Sequence, residues 1–262
     1  MKKTKTSKEL ERGLQRGLRA LRMPGMRMAF HEIADLARQE SMSFEHFLLT
    51  LVDHEQQSRT QNRIQRALQA SRLLKSKTLD SFERTRLPLK LDHQLRTLLE
   101  GGFLDRKENV LALGPTGSGK THLLCALGQE LVDQGRRVIF YTSSELVHAL
   151  IRAKQEQQLQ IFMKQLLRYE ALIIDQLGYV KHSREEMDLL FHLLAERYER
   201  ASVLITTHLP FSQWETIFYD PMNATAVVDR LVHHCAVLEL NLPSYRLEVA
   251  QRRQKNADEA SS

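Results

Sequence analysis

Gly114-Pro115-Thr116-Gly117-Ser118-Gly119-Lys120-Thr121 is the stretch of sequence that decides the fold. It fits the pattern G-x-x-x-x-G-K-[ST] of a phosphate-binding loop. The apolar run Val110-Leu111-Ala112-Leu113 precedes it and a helical pattern follows it, which is the strand, loop and helix context that the motif requires. The sequence therefore predicts a site for a nucleoside triphosphate.

Each residue type in this loop suits phosphate binding. Glycines at 114, 117 and 119 let the backbone turn tightly, so that successive N–H groups point at phosphate oxygens. The helix that begins near Lys120 adds the positive end of its dipole. We expect Lys120 to reach the β- and γ-phosphates and the Thr121 hydroxyl to bind Mg²⁺, with His122 next to the nucleotide.

Five short apolar runs alternate with helical patterns from residue 110 onward. Runs of this kind between helices predict a parallel sheet that is covered on both faces, and therefore an α/β fold. Two capping boxes, Thr142-x-x-Glu145 and Ser183-x-x-Glu186, mark helix starts. The expected strands are 110–113, 138–142, 171–175, 203–207 and 236–240.

Asp175 ends the third of these runs. A carboxylate at that point holds Mg²⁺, directly or through water, in many ATP-hydrolysing proteins. Thr121 and Asp175 are therefore the expected metal ligands, and ATP with Mg²⁺ is the expected cofactor pair. The distance along the chain between the two residues leaves room for one additional strand between the strands that carry them.

The N-terminal third of the chain has only helical patterns. Leucines recur at helical spacing before Pro24, Ser43 is placed to cap a third helix, and the helical pattern continues to about Leu79. We predict a small all-helical domain over residues 1–78 and an α/β domain over residues 79–262. The lysine-rich residues 1–8 are expected to be disordered.

Charge is divided unevenly along the chain. Residues 1–90 hold 19 Lys and Arg against 10 Asp and Glu, a net of +9, whereas residues 91–262 hold 19 against 22, a net of −3. Arg59, Arg63 and Arg66 lie on one stripe of a helix, which indicates contact with a polyanion, with DNA as the leading candidate. A solvated basic face without a partner is the alternative. Arg152 and Lys154 are further DNA candidates.

Cysteine spacing and hydropathy indicate the cellular compartment of the protein. Cys125 and Cys235 are far apart and form no C-x-x-C pair, so neither a disulfide framework nor a zinc site is expected. Adjacent side chains in His233-His234-Cys235 would point to opposite faces of a strand, which is poor geometry for a metal. Because no run of 18 apolar residues and no signal sequence occurs, we expect a cytoplasmic protein without a membrane partner.

Five stretches together carry a resemblance to a known family. The sequence resembles the IstB-like ATP-binding proteins of insertion sequences, which are helper ATPases of DNA transposition in the AAA+ class, similar to DnaC-type helicase loaders. The resemblance covers about residues 9–250. The matching stretches are Gly114 to Thr121, Leu172 to Tyr179, Leu209 to Trp214, Asp229 to His234 and Ser244 to Arg246.

The resemblance implies a AAA+ domain with a five-stranded parallel sheet. It also implies a homo-oligomer that assembles on duplex DNA, has active sites between subunits and presents the DNA to the transposase of the same element. Arg230 would then be the arginine finger that reaches a neighbouring subunit's γ-phosphate, and Arg246 would contact the nucleotide of its own chain. From spacing alone, either arginine would be an ordinary surface residue.

Two positions depart from the family pattern. Gln176 stands where the family carries an acidic residue, and an amide cannot accept a proton as a carboxylate does, so we expect ATP binding with slow hydrolysis. His208 stands where a polar sensor of the γ-phosphate is usual, and either that role or simple packing is open to it. A replicative helicase loader and an ATP-gated DNA scaffold with little turnover are the alternative functions.

Overall fold

Two compact units, residues 1–66 and 67–262, make up the chain in this computed structural model, which describes residues 7–218 and 221–259. Residues 1–6, part of the segment for which disorder was expected, lie outside the described residues. Ser7 and Lys8 belong to the first helix, so the expectation is wrong for these two residues. The boundary falls within the third helix, and each unit has its own core. The functional boundary expected at residue 78 stays a prediction.

Three helices form the first unit: α1 (Ser7–Ala20), α2 (Pro24–Gln39) and the larger part of α3 (Phe44–Ala70). Two side chains stabilise their N-termini. The Ser43 hydroxyl accepts the His46 N–H at 3.2 Å, which confirms the predicted cap, and the buried Glu55 accepts the Met26 N–H at 3.1 Å. The core of the unit consists of Leu18, Met26, Ala29, Ile33 and Leu51.

The end of α3 differs from the expectation. The helical pattern was expected to continue to about Leu79, but α3 ends at Ala70. Arg72 has a left-handed φ of 61°, and the Ser71 carbonyl accepts the Phe140 N–H at 2.8 Å instead of an intrahelical bond. Residues 71–83, called the strap below, therefore leave the helix and run beside the sheet.

The second unit has an α/β architecture, as predicted. Its strands are β1 (Asn109–Leu113), β2 (Val138–Thr142), β3 (Ala171–Leu177), β4 (Ser202–Thr207) and β5 (Cys235–Glu239). Its helices are α4 (Leu89–Leu99), α5 (Gly102–Asp105), α6 (Lys120–Asp133), α7 (Ser143–Gln155), α8 (Leu159–Leu166), α9 (Arg184–Arg197), α10 (Glu215–Phe218), α11 (Pro221–Val232) and α12 (Tyr245–Glu259). Both predicted capping boxes are present, at the starts of α7 and α9.

All five strands are parallel, in the order β2-β3-β4-β1-β5. A strand lies between β1 and β3, as predicted, but it is β4, which follows Asp175 in the chain. The strand in the chain interval between Thr121 and Asp175 is β2, which lies at the edge of the sheet beside β3. Because parallel strands end on the same side, the residues that follow β1, β3 and β4 meet at one edge. The phosphate-loop sequence, Asp175 and His208 all lie at that edge.

Alternate residues of each strand enter two separate cores, as the period of a β-strand requires. Leu111, Ile174 and Ile205 pack with α7 and α9 on one face. Val110, Ile173 and Leu204 pack with α4 and α6 on the other face. Among the described residues, no helix is both long enough and apolar enough to span a bilayer.

Candidate nucleotide-binding site

The loop between β1 and α6 has the backbone that its glycines predict. Gly114 has a φ of 149° and Gly117 a φ of 86°. A Cβ at Gly114 would lie 2.4 Å from the Leu240 carbonyl oxygen, and a Cβ at Gly117 would lie 2.1 Å from Ser244 Oγ. Both positions thus exclude side chains for two independent reasons, backbone conformation and space.

Lys120 is the first residue of α6, and its ammonium group is turned back onto the loop. Its Nζ donates to the carbonyl oxygens of Gly114 at 2.7 Å and Pro115 at 2.8 Å. Burial lowers the pKa of Lys120, while the charge of Asp175 opposes this shift. The loop also contains an unpaired polar atom, because Ser118 Oγ is buried without a hydrogen-bond partner among the described residues. Positive charge and free polar groups therefore concentrate where phosphates would bind.

Asp175 lies opposite the loop and is only 2% exposed. Its Oδ1 accepts hydrogen bonds from Thr121 Oγ1 at 2.8 Å and Thr206 Oγ1 at 2.5 Å. The two residues predicted to bind Mg²⁺ are thus in direct contact. Hydroxyl and carboxylate oxygens are the ligands that Mg²⁺ prefers, so this donor set fits the ion.

Gln176 follows Asp175 at a break in the regular pairing of β3 with β4. Its φ is 62°, in the left-handed region, and its N–H donates to Thr206 Oγ1 at 2.8 Å. Its side chain is exposed and lines the same cavity as Lys120 and Asp175. Thr206 therefore positions both residues. Its hydroxyl donates a hydrogen bond to the Asp175 carboxylate and accepts one from the backbone N–H of Gln176.

A cavity of about 520 Å³ lies above these strand ends, within the range of small-molecule sites. The strap lines one part of it through Phe82, whose ring lies 3.1 Å from the position of a Cβ at Gly119. The start of α12 lines another part, and the Tyr245 N–H donates to the Gly117 carbonyl at 3.0 Å. Arg246, predicted to contact the nucleotide, is exposed and lines this cavity.

His122 contacts the strap as well as lining the cavity. Its Nε2 lies 2.9 Å from the Thr78 carbonyl oxygen and 3.1 Å from Ser81 Oγ, and its ring meets Phe82 edge to face at 5.1 Å. Burial lowers the pKa of His122, while the hydrogen bond to the Thr78 carbonyl opposes this shift. Its placement beside the loop agrees with the expected position, and direct contact with a nucleotide stays a prediction.

His208 follows β4 directly and is exposed. Its ring packs against Tyr179 with centroids 4.2 Å apart, and Tyr179 OH lies 3.0 Å from Thr116 Oγ1. Burial of the ring and the charge of Lys120 both lower the pKa of His208. The sensor role predicted for His208 is untested, and Tyr179 stands between the histidine and the loop.

Arg230 does not line this cavity in its own chain. Its guanidinium lies 5.6 Å from the centre of the Phe191 ring on α9. A role of Arg230 at the phosphates would therefore require the site of another subunit, as the sequence interpretation assumed. That role stays a prediction.

The five DNA candidates have different surroundings. Arg59 is held by the buried Glu55 at 2.7 Å and donates to the Arg22 carbonyl at 3.1 Å, whereas Arg63 and Arg66 are exposed. Lys154 pairs with Glu185 at 2.5 Å, and Arg152 is exposed beside a second cavity near α7 and α8. Within the described ranges, no group of three or more His, Cys, Asp or Glu side chains is placed to hold a metal.

Several residues of this site escaped the sequence analysis. Thr206, Phe82, Tyr179 and Tyr245 all line the cavity. Tyr179 and Tyr245 each lie in one of the family-like stretches, whereas Thr206 and Phe82 carried no sequence signal. Phe82 and Tyr245 lie far from the loop in the sequence and reach it only through the fold.

Comparisons with known proteins agree with this geometry. The family described as IstB-like ATP binding protein matches residues 16–254. The chain is 38% identical over 232 residues to the ATP-binding protein of insertion sequence IS21 from Pseudomonas aeruginosa, covering 88% of this chain and 87% of that relative. It is 36% identical over 240 residues to an insertion sequence ATP-binding protein of Sinorhizobium fredii, covering 91% and 80%.

Solved structures share the fold of the second unit. The DnaC helicase loader has a TM-score of 0.55 at 18% identity, over 63% of this chain and 97% of the DnaC chain. AMPPCP-bound DnaA from Aquifex aeolicus has a TM-score of 0.55 at 18% identity, over 71% of this chain and 56% of the DnaA chain. This likeness confirms the predicted P-loop AAA+ fold.

The two hydrogen bonds of Thr206 generate a prediction about stability. Thr206→Val removes the hydroxyl and leaves the Gln176 N–H and one bond to the buried Asp175 unmade, so the free energy of unfolding should fall by about 2 kcal/mol. Thr206→Ser keeps the hydroxyl and is the matched control, with an expected loss below about 1 kcal/mol. Urea unfolding at pH 7 measures both. Equal losses in the two variants would contradict the assigned role of the hydroxyl.

Proposed function

This chain belongs to the IstB-like ATP-binding protein family, and we propose that it is a AAA+ ATPase that assists DNA transposition. In this proposal the chain binds ATP with Mg²⁺, oligomerises on duplex DNA and delivers that DNA to the transposase of its own element. The observation that carries the proposal is the contact between Thr121 Oγ1 and Asp175 Oδ1 at 2.8 Å, beside Lys120 in the cavity. Family membership and the names of the relatives support the link to insertion sequences.

The residues of the loop bind the triphosphate in this proposal. Lys120 exchanges the Gly114 and Pro115 carbonyls for β- and γ-phosphate oxygens, and backbone N–H groups together with the unpaired Ser118 hydroxyl contact the rest. Thr121 and Asp175 would hold Mg²⁺, which neutralises charge on the phosphates. Arg246 adds a second cation at the rim of the cavity.

Gln176 determines how fast ATP is turned over in this proposal. Its amide lines the cavity and is able to orient a water molecule by hydrogen bonding, as glutamines do in some nucleotide hydrolases. It is unable to accept the proton of that water, which a carboxylate at the same place would do. The chain therefore spends most of its time in the ATP-bound state, the state that favours assembly.

Arg230 completes the active site of a neighbouring subunit in this proposal. In its own chain it lies on α11, away from the phosphate loop and against Phe191. A guanidinium is permanently charged and matches the oxygens of a phosphate in geometry, so it suits charge that develops on the γ-phosphate. Assembly and hydrolysis then depend on each other.

The first unit supplies the DNA contacts in this proposal. Arg63 and Arg66 are exposed on α3, whereas Arg59 is occupied by Glu55. A second basic stripe, not singled out from the sequence, lies along α1, where Lys8, Arg12, Arg16 and Arg19 recur at intervals of three or four residues and are exposed. Positive charge on two helices of one small unit supports contact with the phosphates of duplex DNA.

The proposed assembly predicts an effect of ATP on mass. The chain should bind duplex DNA as an oligomer with a non-hydrolysable ATP analogue and Mg²⁺, and as smaller species with ADP, as measured by mass photometry.

Arg63→Glu with Arg66→Glu should lower the slope of log affinity against log salt by about 2, since each lost phosphate contact removes about 0.9. Arg137→Glu with Arg200→Glu, which makes the same charge change in the second unit, is the control. An affinity independent of salt would contradict DNA binding by charge.

The proposed position of Arg230 predicts complementation between inactive chains. Lys120→Ala lacks the phosphate anchor, and Arg230→Ala should keep nucleotide affinity but lose turnover about a thousandfold. A mixture of the two variants should regain part of the wild-type rate, because some interfaces combine an intact loop with an intact arginine. Phosphate release measured at several mixing ratios tests this. A mixture as inactive as its components would place Arg230 outside the active site.

The chemistry of Gln176 predicts that turnover is restored by a carboxylate. Gln176→Glu should raise steady-state ATP hydrolysis between about 10- and 100-fold, because it adds a general base, and should leave ATP affinity within about threefold. Gln176→Ala, which removes the amide without adding a base, should not exceed the wild-type rate. Equal rates for the wild type and Gln176→Glu would contradict the proposed slow hydrolysis.

A further inference from the structure

Tyr179 reaches the cavity because a tight turn follows β3. Gln176 and Gly178 both have left-handed φ values, 62° and 84°, and the Tyr179 N–H donates to the Gln176 carbonyl at 3.3 Å. A Cβ on Gly178 would lie 2.6 Å from Leu209 Cδ1, so the turn requires glycine there. The turn directs the Tyr179 side chain back over the end of the sheet.

The hydroxyl of Tyr179 meets the phosphate loop at one point. Tyr179 OH lies 3.0 Å from Thr116 Oγ1, and Thr116 directly follows Pro115, whose carbonyl accepts the Lys120 ammonium at 2.8 Å. Two hydroxyl groups thus lie next to the part of the loop where the lysine head is held. Tyr179 also lines the cavity that contains Asp175 and Gln176.

Packing explains the ring of Tyr179 but not its hydroxyl. The ring is held against His208, with centroids 4.2 Å apart, and a phenylalanine would make the same contact. The side chain is 39% exposed, so water would satisfy its hydroxyl without Thr116. A pair of neutral hydroxyl groups on the segment of the loop that holds the Lys120 ammonium suits an anionic group that binds next to that lysine.

We propose that Tyr179 and Thr116 form a hydroxyl pair that binds the γ-phosphate and makes the site prefer nucleoside triphosphates over diphosphates. This inference rests on the proposed ATP-binding function. The lysine of a phosphate loop contacts the β- and γ-phosphates, and the pair begins one residue beyond the Pro115 carbonyl that holds the Lys120 ammonium, so a phosphate bound at that ammonium lies next to the pair. A diphosphate ends before this point, which leaves the two hydroxyls bonded to each other.

The selectivity for triphosphates is what the experiment measures. Tyr179→Phe keeps the ring on His208, and Thr116→Val keeps the shape of the loop side chain, so each variant removes one hydroxyl. Affinities for a non-hydrolysable ATP analogue and for ADP, both with Mg²⁺, are measured by displacement of a fluorescent nucleotide. Each variant should bind the ATP analogue about tenfold more weakly and ADP within about twofold of the wild type, since only the bond to the charged γ-phosphate is lost.

Tyr245→Phe is the matched control. Tyr245 lines the same cavity, and its hydroxyl donates to Glu83 at 3.2 Å rather than to the loop, so its loss should change both affinities by the same factor. A double variant of Thr116 and Tyr179 should lose less than the two single losses combined, because the hydroxyls share one ligand. With ADP, which has no γ-phosphate, the double variant should show no such deviation from the sum of the single losses.

Two results would overturn the inference itself, and a third would overturn the function on which it rests. Equal weakening of ATP analogue and ADP binding in Tyr179→Phe would reduce its hydroxyl to a structural role. Unchanged affinities in both single variants would remove the role altogether. A wild-type chain that binds neither nucleotide would instead overturn the proposed function on which the inference rests, so the two failures are distinguishable.

Discussion

Asp175 is a carboxylate with 2% exposure, and a buried charge is costly unless hydrogen bonds or a cation compensate for it. Thr121, from the helix after β1, and Thr206, from β4, donate to the same carboxylate oxygen. The bond from Thr206 requires β4 to lie beside β3, which is the observed order. The strand order and the metal-binding donor set are therefore two aspects of one arrangement.

At Gln176, one interaction holds the backbone in place, and a different part of the residue, its side chain, decides whether a proton is accepted. Its left-handed backbone costs about 1 kcal/mol, which the bond from its N–H to Thr206 offsets. That bond involves the backbone, so it holds whatever side chain residue 176 carries. An amide and a carboxylate would occupy the same place in the cavity and differ only in their capacity to accept a proton. The backbone geometry at residue 176 is thus independent of whether its side chain is able to accept a proton.

Local patterns in the sequence predicted most of the second unit. Apolar runs marked all five strands, and two capping boxes marked the starts of α7 and α9. Thr206 was missed because a threonine inside a buried strand carries no signal of its own. Its hydrogen bonds to Asp175 and Gln176 depend on which strand lies beside β4. The end of α3 was missed because Ser71 exchanges an intrahelical bond for one with β2, a contact between residues distant in sequence. The spacing of apolar residues along the chain does not predict hydrogen bonds between elements that are distant in sequence.

The strap and the start of α12 both contact residues of the phosphate loop or the helix that follows it. His122 is bonded to the strap at Thr78, and the Gly117 carbonyl is bonded to Tyr245 at the start of α12. Residues from both ends of the second unit therefore enclose one loop, and each enclosing contact reaches a residue that lines the cavity. A ligand that binds only this folded arrangement stabilises it by mass action. A nucleotide that binds this arrangement would therefore stabilise the strap and α12 together with the loop.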